Sequence, residues 1–132
     1  MPRIERHSRM RRFDISVGLL SLAAISSSAG YAVSRERFHD TDLPALYQRI
    51  NTESFNGALP RAEVRWATLD NMYGETEGHD QWYVIEIDRD TVQNDAKLLE
   101  VLRHEACHTL TMDKEDEEHG ELWQVCMQRF KQ

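Results

Sequence analysis

The sequence predicts a small α+β domain, an antiparallel sheet packed on helices. Two stretches carry strand patterns, "AEVRWATL" by alternation and "WYVIEID" by its density of β-branched and aromatic residues. Three later or flanking stretches repeat their apolar residues at helical spacing. The 132 residues leave room for one domain with a modest core.

In chain order, the N-terminus reads as an address. "MPRIERHSRMRRF" is basic, "ISVGLLSLAAI" carries no charge, and the small residues of "SSSAGYAV" follow. That is the layout of a secretory signal, with Ser27-x-Ala29 or Gly30-x-Ala32 offering a cleavage site. Left uncut, the uncharged run from Ile15 to Val33 approaches the ~20 residues that a bilayer requires. Residues 1–33 are therefore expected to be a signal-peptide-like or membrane-anchor segment, and residues 34–132 the folded domain. Export or membrane anchoring follows from that layout; the alternative is a cytoplasmic protein whose first helix packs on the domain.

Residues 33–39 form a polar connector. Thr41 or Asp42 can cap a helix whose first turn tolerates Pro44, and Leu43, Leu46, Tyr47 and Ile50 give it one apolar side over residues 42–53. "FNGALP" ends that helix as a turn cluster. In "AEVRWATL", Val64 and Trp66 fall on one face and Glu63 and Arg65 on the other. "DNMYGETEGHD", residues 70–80, reads as a turn-rich loop or loose hairpin, and "WYVIEID", residues 82–88, as the best strand. A helix follows from about Asp95 to Met112, with Leu98, Val101, Leu102 and Ala106 on its buried side. A last helix from about Gly120 to Phe130 places Leu122, Val125, Cys126 and Phe130 on one stripe.

Charge is divided unevenly. Residues 1–32 hold five Arg against two acids, whereas residues 33–132 hold 11 Lys/Arg against 21 Asp/Glu. A body this acidic gains nothing from phosphate contacts, which argues against nucleic acid as a partner. Cys107 and Cys126 are too few for a disulfide framework and lack CxxC spacing. Cys107 reads as a small buried hydrophobe, with a Cys107–Cys126 disulfide as the alternative in an exported chain.

The chemistry concentrates in "LRHEACHTLTMDKEDEEHGELW". His104 and His108 lie four apart on a helix, so both imidazoles project from one side, about 5–6 Å apart, and suit one cation. Glu105 follows the first histidine, beside such a metal and not bound to it. A carboxylate there can take a proton from zinc-bound water and pass it to a leaving amine, which gives HExxH on a helix a mechanical reason. A catalytic zinc takes three protein ligands and leaves a fourth position open. His119, Glu115, Glu117, Glu118 and Glu121 are the candidates for the third. Neutral imidazole is the better zinc ligand, and Gly120 lets the chain turn after His119. The longer metzincin pattern fails, since Thr111 and Lys114 stand where its glycine and third histidine belong. The acidic run before His119 reads as a solvated connector.

Taken together, "FNGALPRAEVRW", the Tyr73-Gly74 pair, "VIEID", "LLEVLRHEACH" and "HGELW" resemble the SprT-like zinc metallopeptidase domain, the family of SprT and Spartan, over about residues 42–131. The resemblance implies a small zincin-like domain, zinc held by His104, His108 and His119, and Glu105 as the catalytic residue. It implies a polypeptide substrate, which in zincins can pair with an exposed sheet edge beside the helix. Association with DNA is a further possibility by resemblance, one that the acidic charge does not support.

The expected function is therefore zinc-dependent hydrolysis of peptide bonds. The alternative is a non-catalytic module whose zinc serves folding; Glu105 separates the two, because a structural site has no use for a carboxylate at an open position. An unmetallated structural domain is a third reading. His79 reads as a surface loop residue or a visitor to the cleft, Tyr73 as packing or an oxyanion donor, and Trp66, Trp82 and Trp123 as core or cleft wall.

Overall fold

A computed structural model describes residues 13–16 and 37–131. The chain is α+β, with elements β1 (Phe13–Ser16), α1 (Leu43–Phe55), β2 (Ala62–Ala67), β3 (Met72–His79), β4 (Trp82–Asp88), α2 (Asp95–Thr111) and α3 (Glu121–Gln128). The sheet runs in the order β1-β3-β4-β2.

Helix α1 begins where Asp42 accepts the Ala45 N–H at 3.0 Å and ends where Asn56 and Gly57 turn left-handed, at φ 51° and 80°. Leu43, Tyr47 and Ile50 are its buried side. Strand β4 lies inside the sheet, with its Tyr83, Ile85 and Ile87 buried between β2 and β3. Val64 and Trp66 of β2 register with Ile85 and Ile87, and on the other flank Thr76 and Gly74 of β3 register with the same two residues. Directly paired residues share a face, so all of these point to the helices. The opposite face is polar; Arg65 there bridges Glu63 at 2.9 Å and Glu86 at 3.1 Å.

Two expectations about the sheet are corrected. It is mixed, not antiparallel, because β2 pairs parallel with β4. The apolar β4 takes the place between β2 and β3, so the chain passes from β2 to β3 without pairing them. Residues 72–79 are a strand, not a loop. "MYGETEGH" has low strand propensity, yet β4 supplies its ladder and a two-residue turn at Asp80 and Gln81, both at positive φ, closes the hairpin.

Helix α2 starts at Asn94, whose side chain accepts the Lys97 N–H at 2.8 Å, and buries Leu98, Val101, Leu102 and Ala106 as expected. Helix α3 differs. Leu122 and Val125 are 44% and 56% exposed, and the inward stripe is Trp123, Cys126, Met127 and Phe130. The cause is covalent: Cys107 and Cys126 form a disulfide across a Cα separation of 5.8 Å, which fixes the rotation of α3 and overturns the free-thiol reading of Cys107.

Strand β1 pairs antiparallel with β3 where the sequence gives no strand signal. The rest of the leader reading, residues 1–12 and 17–33, lies outside the described residues. Among the described residues no helix is long and apolar enough to cross a membrane. The disulfide closes a sequence separation of 19 residues. Reducing it should lower unfolding stability by about 3 kcal/mol in the chain-entropy view. An unchanged urea midpoint under reductant would show that the cross-link contributes nothing.

Candidate metal centre

The site is built on α2. Successive helical residues step by about 100°, so residues four apart form ridges that lie about 60° from the next ridge. Leu98 and Leu102 make one buried ridge. Val101 and Glu105 make the next, pressed on β3, where a Cβ added to Gly74 would sit 2.7 Å from Val101 Cγ1 and 3.1 Å from Glu105 Oε1. His104 and His108 form the third ridge, one further step away from the core. The step past the β3 contact puts both imidazoles on the side of α2 opposite to the Leu98–Leu102 ridge, with His108 fully buried and His104 half-buried.

His119 arrives from the loop ahead of α3. His104 Nε2 lies 3.1 Å from His108 Nε2 and 3.1 Å from His119 Nε2. The ligand atoms of all three lie within 4.8 Å of one another. A single proton on His104 Nε2 can point at only one neighbour, so neutral rings alone leave lone pairs facing each other. A cation among them satisfies all three. Tetrahedral zinc with Zn–N bonds of ~2.0–2.1 Å would hold its nitrogens about 3.3 Å apart, close to the observed spacing. The three residues fit a metal ion and could hold one. Burial pushes His104 down to about 3 and His108 down to about 2, with neighbouring histidines adding to both, so these rings are neutral as a ligand requires.

Residues behind the ligands hold them. Trp123 stacks on His108 with 5.6 Å between ring centroids, and its Nε1 donates to the His104 carbonyl at 3.3 Å. Glu115 accepts from the backbone N–H groups of Leu122 and Trp123 at 3.1 and 2.9 Å. It thereby caps α3 at the point where Gly120 offers no side chain. A Cβ at Gly120 would stand 2.4 Å from Glu115 Oε2. The acidic connector is thus not merely solvated: Glu115 serves as a capping residue, and not as a metal ligand. Its spacing from Gly120 resembles no local cap motif, because the capping acid lies before the helix and not inside it.

Glu105 is fully buried. Its Oε2 accepts from Thr76 Oγ1 at 2.6 Å, and it stands on the ridge beside the imidazoles, outside their ligand group. Thr76 was invisible as a site residue because the stretch around it reads as loop. The other candidates lie elsewhere. His79 ends β3 beside Asp80, the Tyr73 ring packs under Lys97 Nζ at 4.0 Å, Trp66 packs on Phe38 and His39, and Trp82 is 60% exposed. A cavity of about 550 Å³ lined by Leu59, Pro60, Tyr83, Thr109 and Asp113 opens at the end of α2, and none of the three histidines lines it.

A family model described as the SprT-like family matches residues 43–132. No curated protein gives a significant match.

Two outcomes follow from this geometry. Gly120→Ala displaces the Glu115 carboxylate from the N–H groups of Leu122 and Trp123, so unfolding stability should fall by about 1 kcal/mol, as on loss of a helix cap. An unchanged urea midpoint would refute the cap. His104 and His108 are bases whose folded pKa lies below the ordinary 6.5. Folding thus withholds protons that the unfolded rings accept, and metal-free stability, complete above 6.5, declines as pH falls from there towards about 3. Thermal midpoints of the chelated protein at neutral pH and in mild acid check this; no decline would contradict it.

Proposed function

The chain belongs to the SprT-like family, and on that premise we propose that it is a zinc-dependent metallopeptidase of zincin-like architecture that hydrolyses polypeptide substrates. The observation that carries this is the convergence of three imidazole Nε2 atoms with a buried carboxylate on the adjoining ridge of the same helix. His104, His108 and His119 would hold zinc, which supplies Lewis acidity towards a water molecule and a scissile carbonyl. Glu105 takes the proton from the attacking water and returns it to the leaving amine. Thr76 fixes the Glu105 rotamer through its hydroxyl, and Trp123 fixes the planes of the histidine rings.

The donor set supports a catalytic over a structural zinc. Structural sites usually close with four protein ligands, whereas the group among the described residues has three members. We further place the protein in an oxidising compartment, exported or anchored. The basic-then-apolar leader supports this, and so does the Cys107–Cys126 disulfide, since such bonds persist outside the reducing cytosol.

Zinc content and peptide hydrolysis of the full chain, measured beside Glu105→Gln, test the reading. Stoichiometric zinc in both, with kcat lower by at least about 100-fold in the variant, is the expected result for loss of a general base. Full zinc with equal rates would refute the mechanism, and substoichiometric zinc would refute the metal site.

A further inference from the structure

The outer edge of β3 is the sheet margin that borders the His104–His108 ridge. Gly74 and Thr76 of β3 meet Val101 and Glu105 on the middle ridge of α2. The Leu98–Leu102 ridge joins Ile85 and Ile87 of β4 in the core, on the inner side of that contact, and helical geometry puts the histidine ridge one step to the other side. The next strand position outward from β3 is therefore the strip alongside the metal ligands. The chain fills that position with its own residues: Phe13 registers with Thr76, Asp14 with Glu75 and Ser16 with Met72. Phe13 is thus opposite the residue whose hydroxyl holds Glu105.

We propose that Phe13–Ser16 is an internal occupant of the strip on which an extended polypeptide lies beside the metal site, so that the intact chain is self-blocked until this segment leaves. The proposal rests on the metallopeptidase reading above. A sheet edge offers one row of backbone donors and acceptors, and two strands cannot use it at once. Belonging to the same chain, β1 competes as an intramolecular ligand against substrate in solution. The seat is also built to release. β1 has four residues, and its register with β3 shifts between Asp14 and Ser16. A short, irregular edge strand holds by few bonds.

The test uses the full chain and Asp14→Pro/Ile15→Pro. Successive strand residues direct their N–H groups to opposite edges, so replacing both removes at least one donor to β3. Two readouts are taken at equal zinc content: hydrolysis of an unstructured peptide, and binding of a labelled synthetic peptide with the sequence of residues 10–18. The variant should bind that peptide where the unaltered chain does not. If the strip is free in a tenth of the molecules, the variant should also hydrolyse substrate about tenfold faster. Equal peptide binding by the two proteins, or none by either, overturns the proposal. Peptide binding by the variant alone, with zinc full and no hydrolysis, upholds the self-blocked strip and overturns the peptidase reading instead. Phe13→Gly/Ile15→Gly keeps every backbone donor and weakens the strand through chain entropy. It should shift both readouts in the same direction if the proline variant does not fold, and no shift in it overturns the proposal.

Discussion

Helix α2 approaches β3 so closely at Gly74 that no side chain fits between them, and the site depends on that contact. Val101 Cγ1 and Glu105 Oε1 occupy the space a Cβ would take. The contact sets the rotation of α2. With Val101 and Glu105 on the strand, Leu98 and Leu102 must turn into the core and His104 and His108 to the other side of that contact. It also sets the environment of Glu105, which lies against Thr76 in a site without water-exposed surface. A carboxylate in so enclosed a place is expensive unless hydrogen-bonded, and the Thr76 hydroxyl meets part of that need.

The third histidine is brought in from the other side by two unrelated devices. Cys107 and Cys126 join α2 to α3 covalently, from the row of α2 that adjoins the imidazoles. Glu115 caps α3 at its start, next to Gly120 and His119. Between these fixed points Trp123 lies against all three rings. The rotation of α3 follows from the cross-link and the cap, and this is why Leu122 and Val125 face outward although they are the more apolar choice. Periodicity alone cannot register such a constraint, because Trp123 and Met127 are equally good members of a stripe one step round the helix.

Legibility in the sequence was uneven for physical reasons. Strong local patterns were readable: α1 with its Asp42 cap, β4, and the HExxH helix with its buried side all stand where the sequence indicates. So does the pairing of His104 with His108, since four-residue spacing on a helix is itself geometry, whereas His119 was one of five candidates that spacing alone could not separate. Features decided by distant partners were not readable. β3 is a strand because β4 pairs with it, in spite of two glycines and two glutamates, and with it went Thr76. The parallel pairing of β2 with β4 has no local signature at all. Glu115 looked like one more acid in a charged run, because nothing in its neighbours tells that its carboxylate will meet the N–H groups of Leu122 and Trp123.

Three imidazoles, and no fourth protein side chain among the described residues, would hold one metal ion beside β3. X-ray absorption at the zinc edge on the zinc-loaded chain measures this directly. The account predicts three imidazole nitrogens at about 2.0–2.1 Å with the remaining coordination from water oxygen and no sulfur scatterer. A first shell with four protein ligands, or with fewer than three imidazoles, would contradict it.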